Sequence, residues 1–486
     1  GYWDEAWQRH PDNPSIYRNY WPQAEHYFDD RVAVENVNRR FGFHYNMKYG
    51  FGGSGAVWSG ASWRLKPEDF QTRTLFGYGR DWPFSYEDLA PYYDRVEQIF
   101  LTSGPQNHPD WPWNNNYPYP AFKQSYLDKV MTQVLAPEFK VTPNAFSVRN
   151  TAAVAGGCVG SKTCVKKCPA NARFRPDFHI LYPYLNHDNL TLWLKSPAVQ
   201  LNLAADNRIA SVTVLRAGQH LEQVQARYYF LAANTIENIR LLHHSATDRP
   251  VANSSGLLGH FFASHGAVVM SAILDRPLYV GRGRPTTSSA INTLNHGQRD
   301  QFNGYMLEIW NLDWNMGLTP GAVLRSTRLK ERQWGLSLFK RARQADHRLA
   351  LTLIFEIELR HRNQVNLSAV KDQFNLPLAR VDFKFGRRDD RTLNQMKKVA
   401  KMLGRKPAIN ELKLWGYGLN GNHPLGGYVC GHDPKTSVVD AFMRSHDHAN
   451  LYILGGGAFN STSALNPTHT IAALTLKALD DNRLQF

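Results

Sequence analysis

The chain has 486 residues, 43% of them hydrophobic, which is material for a large core spread over more than one domain. Against 41 Asp and Glu stand 56 Lys and Arg, a net charge of +15, but the basic residues fall in short groups such as Arg39-Arg40 and Lys397-Lys398 and build no nucleic-acid module. The four cysteines exclude a disulfide-rich scaffold, and no apolar run reaches the roughly 18 residues of a membrane-spanning helix. An anionic substrate or an acidic partner makes better use of the positive field.

In chain order, the opening GYWDEAWQRHPDNP lacks the charged-then-apolar pattern of an export leader and reads as a start inside a longer unit. Taken by letters, Gly50-Phe51-Gly52-Gly53-Ser54-Gly55 satisfies the G-x-G-x-x-G dinucleotide pattern. That turn needs a hydrophobic strand before it and a helix after it. Here RRFGFHYNMKY and AVWSGASWRL supply neither, so a flexible glycine loop that lets backbone approach a ligand is expected instead. From 91 the spacing predicts a helix, with Pro91 in its first turn and Tyr93, Val96 and Phe100 on one face. The Pro- and Asn-rich stretch 105–120 reads as loop.

Next comes Cys158-x5-Cys164-x3-Cys168-Pro169. Thiolates this close, with proline after the last, suit an iron–sulfur cluster, and Lys162, Lys166 and Lys167 would offset its charge. A zinc site or unligated thiols are the alternatives. Three local ligands favour a three-iron cluster, unless the distant Cys430 folds in to complete a four-iron one.

In the region 192–232 the runs LTLWL, IASVTVL and ARYYFLAA read as strands. An amphipathic helix is expected at about 390–403, capped by Asp389 or Asp390, striped by Leu393, Met396, Ala400 and Leu403, and ended by Gly404. In the C-terminal block, Gly455, Gly456 and Gly457 form a strand-to-loop passage. It feeds a last helix that starts at Asn466-Pro467-Thr468, where free N–H groups suit an anion or a reduced flavin ring. His423, in a Gly/Pro loop, is a candidate base. Strands and helices are mixed, so the fold class is α/β or α+β.

The order and spacing of this last block resemble the end of the glucose–methanol–choline (GMC) oxidoreductases. The matching pieces are His423 before Gly426, His432-Asp433-Pro434, Ser437-Val438-Val439-Asp440, Asn450-Leu451-Tyr452 and Asn466-Pro467-Thr468. Upstream, GGSGAVWSGASWR (52–64) looks like the family's second flavin-contacting loop. Gly79-Arg80-Asp81-Trp82-Pro83, YEDLAPYY, Ala232-Ala233-Asn234 and Val251-Ala252-Asn253-Ser254-Ser255 resemble the branch of gluconate, sorbitol, fructose and FAD-dependent glucose dehydrogenases. That branch carries a three-iron cluster at the same cysteine spacing.

The resemblance implies an FAD-binding domain in three pieces (30–70, 186–264 and 420–486). It is interleaved with an antiparallel-sheet substrate domain (71–150 and 265–419), and 151–185 holds the cluster on Cys158, Cys164 and Cys168. His423 becomes the base and Asn466 its partner on the substrate oxygen. Gly52, Gly53, Ser54, Trp58, Val199, Ala233, Gly456, Gly457, Pro467 and Thr468 become flavin contacts.

By the same resemblance, electrons from a sugar, polyol or sugar acid pass through FAD and the cluster to a multihaem cytochrome c subunit. A small helper subunit completes a periplasmic complex that reaches the membrane only through its partners. The departures are a βαβ unit with a true GxGxxG, expected to be missing at the start; Gly455 and Gly456 where relatives place a polar or acidic residue, and Gly427 where they favour Thr; and His260 and Ser264 where relatives carry Arg and Asp, with His265 retained. The missing start and the altered glycine positions motivate the opposing reading: a degenerate subunit without working flavin, kept for electron transfer or assembly.

Overall fold

The computed structural model describes residues 34–38, 42–43, 50–106, 117–150, 156–161, 164, 168–216, 220–245, 250–281, 283–311, 332 and 334–485. Its central feature is an antiparallel six-stranded sheet. The strands are β1 (Val141–Pro143), β2 (Gly266–Leu274), β3 (Ser288–Ala290), β4 (Tyr305–Trp310), β5 (Arg348–Phe355) and β6 (Ile409–Leu419). In space the order is β6-β2-β5-β4-β3-β1. The α-helices are α1 (Thr72–Phe76), α2 (Tyr86–Ile99), α3 (Tyr126–Leu135), α4 (Thr235–His244), α5 (Gly335–Arg343), α6 (Arg387–Leu403) and α7 (Thr468–Leu479).

Alternation along the central strands explains how the sheet is covered. Val268, Met270, Ala272 and Leu274 of β2 are buried, and α6 packs against β2 and β6 with Leu393, Met396, Ala400 and Leu403 all buried, the stripe expected from the sequence. The alternate residues Ala267, Val269 and Ser271 face the other way, onto a side that opens toward solvent at β6.

Helix α6 starts at Arg387, three residues before the expected start. Asp389 does not cap it directly; its carboxylate reaches back to accept from the Gly386 N–H at 2.8 Å, closing the first turn from inside. Helix α2 likewise begins at Tyr86, not at 91. Ser85 and Asp88 form a reciprocal capping box that nucleates the helix a turn and a half early and leaves Pro91 inside it. LTLWL is not a strand, and pairing starts instead at Ala198–Leu203, against Ile209–Arg216.

Around the sheet, strands Tyr229–Leu231 and Leu451–Ile453 run parallel, each leading into the segment that carries α4 and the glycine turn respectively. Mixed helices, a parallel pair and an antiparallel sheet give the expected α/β (α+β) class. The expected lack of a βαβ unit concerns the start of the chain, which lies outside the described residues.

Arg299, 3% exposed, ties the layers together with ion pairs to Asp69 at 3.2 Å and Glu356 at 2.9 Å and a hydrogen bond to Tyr78. A second, smaller core of Ala61, Phe146, Val148, Cys168 and Ala172 stands apart from the main one.

Candidate active site

Two chain segments converge where β2 begins and β6 ends. Gly266 pairs with Leu419, and the ladder continues as Asn420 N–H donates to His265 C=O at 2.8 Å. His265 is wholly buried, and His423 follows three residues after Asn420 on a half-buried turn. Their rings meet Nδ1 to Nδ1 at 3.0 Å.

A hydrogen-bond chain fixes the protons of this pair. His265 Nε2 lies 3.0 Å from the Thr462 carbonyl, which can only accept, so Nε2 carries the hydrogen. Burial pushes the His265 imidazole down to about 4, so the ring is neutral and its Nδ1 is an acceptor. His423 Nδ1 must then donate. Its Nε2 is left with a free lone pair: the proton-accepting state of a base. Burial, and then the neighbouring His265, hold the His423 imidazole well below the ordinary histidine range.

The turn that enters α7 carries the second half of the site. Ser463 adopts a left-handed backbone (φ 51°). Among the described residues, buried polar atoms here have no partner: Ser463 Oγ and Asn466 Oδ1 on the turn, and His469 Nδ1 in the first turn of α7. Such atoms are costly unless a bound group satisfies them, so this side of the site fits a polar cofactor or substrate over the positive end of α7. The His423 segment and the glycine turn are laced together by Gly426 N–H to Gly456 C=O and Tyr428 N–H to Gly457 C=O, both 3.0 Å. Gly457 must be glycine, since a Cβ there would meet the Tyr428 ring at 2.0 Å.

The remaining expected contacts scatter. Gly52 (φ 87°) and Gly53 (φ 54°) form the left-handed start of a short 3-10 turn, not a long helix; the stretch expected to lack a strand before it, 44–49, lies outside the described residues. Gly52 packs on Asp177, and Ser54 lies in the same turn. Trp58 donates to the Phe174 carbonyl at 2.9 Å. Val199 is buried on its strand, and Ala233 is exposed just before α4. Pro467 precedes the first residue of α7, Thr468.

The cysteines are all free. Cys164 and Cys168 are buried and Cys158 is half-buried. Buried guanidinium groups surround them: Arg284 Nη1 lies 3.7 Å from Cys164 Sγ, and burial, then Arg175, push Arg173 down to about 10 against the pull of Cys168 and Cys164. Among the described residues no three His, Cys, Asp or Glu side chains stand at metal-holding distance. The cationic surroundings nonetheless fit thiolates that carry a net negative group. Cys430 is elsewhere, in the main core beside Val429 and Ala458, with Arg80 and Asp440 as its charged neighbours.

Sequence reasoning assigned no role to His265 or Thr462. A histidine placed directly before an alternating apolar run was the available signal for His265; the Thr462 carbonyl leaves no trace in side-chain chemistry.

The sequence profile described as GMC oxidoreductase matches residues 360–475. Fructose dehydrogenase large subunit of Gluconobacter japonicus is 28% identical over 507 residues, covering 98% of this chain and 90% of that protein. Gluconate 2-dehydrogenase flavoprotein of Pantoea cypripedii is 24% identical over 494 residues, covering 90% and 79%. The crystal structure of pyridoxine 4-oxidase from Mesorbium loti superposes with a TM-score of 0.62 at 16% identity, covering 91% of this chain and 86% of that one.

Proposed function

We infer, for a chain that belongs to the GMC oxidoreductases, that it is the flavoprotein subunit of a dehydrogenase acting on an alcohol group of a sugar, polyol or sugar acid. The observation that carries this reading is the His265–His423 pair, which presents a neutral Nε2 lone pair beside a turn of unsatisfied polar atoms.

FAD, when bound, supplies the hydride acceptor for alcohol oxidation. What the chain itself does follows from its own groups. His423 Nε2 takes the hydroxyl proton, while its Nδ1–H stays on His265 and holds the ring in plane for the transfer. The Asn466 amide lies at the mouth of α7, where its N–H can steady the oxygen as negative charge develops, assisted by the helix terminus. The turn at 455–457 and the residues 466–468 are the flavin side of the site, and Gly52, Gly53, Ser54, Trp58, Val199 and Ala233 its outer contacts.

The finer reading adds an iron–sulfur cluster on Cys158, Cys164 and Cys168, supported by the buried cations beside those thiols. The seat of Cys430 in the other core favours three iron atoms over four. One-electron transfer is what such a cluster supplies. With it go the three-part FAD domain, the substrate domain built on the six-stranded sheet, a small helper subunit, a multihaem cytochrome c partner and a periplasmic setting. Among the described residues no helix is long and apolar enough to cross a membrane, so the contact with a bilayer is assigned to the partners.

The test is optical. Purified protein should show a stoichiometric oxidised-flavin band that a sugar, polyol or sugar acid bleaches without oxygen. Absence of flavin from full-length protein supplied with FAD, or a flavin that no member of such a panel reduces, overturns the reading.

A further inference from the structure

The side of the six-stranded sheet opposite α6 carries a buried acid, Glu308, that no described residue pairs with. In register across the sheet lie Gly416, Val269, Thr352, Glu308, Ser289 and Thr142. Directly opposed residues share a face. Lys397 over the Tyr417 ring at 4.3 Å marks the α6 face, so Gly416 and its row lie on the other. The row grades from open to closed: Gly416 is exposed, Val269 and Thr352 half-buried, Glu308 7% exposed and Ser289 fully buried. A Cβ at Gly416 or Gly418 would meet nothing within 4 Å among the described residues, so no described side chain fills this end of the face.

Among the described residues the polar groups near Glu308 bond elsewhere, except Asn144 Oδ1, which is buried without a partner. Trp310 Nε1–H donates to Thr352 Oγ1 at 3.0 Å, Asn144 Nδ2–H to Ser289 Oγ at 2.9 Å, and Trp415 Nε1–H to Ser271 Oγ at 2.8 Å. The Glu308 carboxyl has no hydrogen-bond or ion-pair partner among the described residues. A buried carboxyl in that condition is costly unless a ligand completes it.

We propose that Glu308 is the closed end of a saccharide subsite on this sheet face, receiving hydroxyl groups of a ligand longer than one sugar ring. The described surroundings suit hydroxyl partners: neutral hydroxyl and amide groups and two indoles, Trp310 and Trp415, with the Lys413 ammonium lying 4.4 Å over the Trp415 ring at the open end. Burial also raises the carboxyl to about 8, which leaves it protonated near neutrality and able both to donate and to accept, as a hydroxyl partner requires. The proposal rests on the sugar-dehydrogenase reading and extends it. His265 precedes β2 with the parity of Ala267 and Val269, so the histidine pair borders the same face. Four residues along β2 and two strands across place Glu308 on the order of 15 Å from it. Glu308 therefore touches the part of the substrate remote from the reacting carbon and is a specificity residue, not a catalytic one.

Calorimetry on the FAD-loaded protein with maltose, lactose and sucrose, beside D-fructose and glucosamine, tests this. For the tightest-binding disaccharide, Glu308→Ala should weaken binding about tenfold, and Glu308→Gln, which keeps a donor and an acceptor, should stay within about threefold of the parent. D-Fructose, confined to the histidine end, should change less than about twofold in both variants. The proposal is overturned if no disaccharide binds the parent, if both variants bind it as the parent does, or if fructose loses as much as the disaccharide. It is equally overturned if glucosamine alone loses affinity, which would mark a cation site. Should the alanine variant fail to fold, Thr352→Val, which removes the neighbouring hydroxyl, and Glu308→Gln carry the same comparison. Binding that persists without flavin bleaching would sink the dehydrogenase reading and leave this subsite standing.

Discussion

His265 and His423 touch Nδ1 to Nδ1 at 3.0 Å, although 158 residues separate them in sequence. Because the Thr462 carbonyl holds the hydrogen of His265 on Nε2, the contact works in one direction only, with His423 donating. His423→Ala should lower turnover by about 10²–10⁴ while flavin content is kept. His265 acts through His423 and is a positioning residue. Asparagine at 265 puts a carbonyl oxygen near the place of Nδ1 and should keep turnover within about threefold, whereas leucine removes the acceptor and should cost about tenfold or more in kcat with little change in KM. Equal losses in the two variants would refute the tautomer argument.

The pH profile follows from the same burial. His423 is held neutral well below the ordinary histidine value, so turnover should stay flat as pH falls through 6.5 and drop only as the lowered value is passed. A half-maximal point at an ordinary histidine pKa would show that the ring is not desolvated as described.

Stability carries the opposite side of this linkage. His265 and His469, both wholly buried, are pushed down to about 4 and about 3 by burial. Between the unfolded value near 6.5 and those values the unfolded chain binds protons that the native one refuses, so stability present above pH 6.5 is lost as pH falls. The slope from each ring is on the order of 1.4 kcal/mol per pH unit. Urea midpoints should therefore decline from pH 7 to pH 5, less steeply in His469→Gln. Parallel slopes for the two proteins would contradict it.

The layers should be equally sensitive at Arg299. Its guanidinium is buried with Asp69, Glu356 and Tyr78. Arg299→Met leaves two acidic groups without their cation and should cost about 3–5 kcal/mol. Pairing it with Glu356→Gln should recover part of that loss. Denaturant melts of the single and double variants measure the difference, and an unchanged midpoint in Arg299→Met would show the network to be idle.

What could be read in advance follows from the range of the forces involved. The α6 stripe and the last helix at Thr468 are local patterns, and the structure has them. Helix α2 was misplaced because proline at a first turn is a strong signal, whereas the Ser85–Asp88 box that overrides it is two polar residues in a polar stretch. LTLWL carries strand propensity, but no neighbour pairs with it. His423 and Asn466 were legible through the spacing of a long block. His265 and Glu308 were not, because their meaning depends on sheet register across more than a hundred residues.

The cysteines provide the last test, since geometry there bears on how many ligands a cluster can have. Cys168 lies in the small core with Phe146 and Ala172, and Cys164 stands beside Arg284, while Cys430 is sealed in the main core. Protein purified without oxygen and then oxidised should give the EPR signal of a three-iron cluster. Cys168→Ser should abolish it and slow reduction of a one-electron acceptor, with substrate still bleaching the flavin. Cys430→Ser should leave the signal intact, because that thiol belongs to the main core while Cys168 and Cys158 belong to the small one. A signal lost in Cys430→Ser would place the fourth cysteine among the ligands. A zinc-bearing, EPR-silent protein would remove iron from the site, and the buried Arg173 and Arg284 would then be counter-charges for thiolates on zinc.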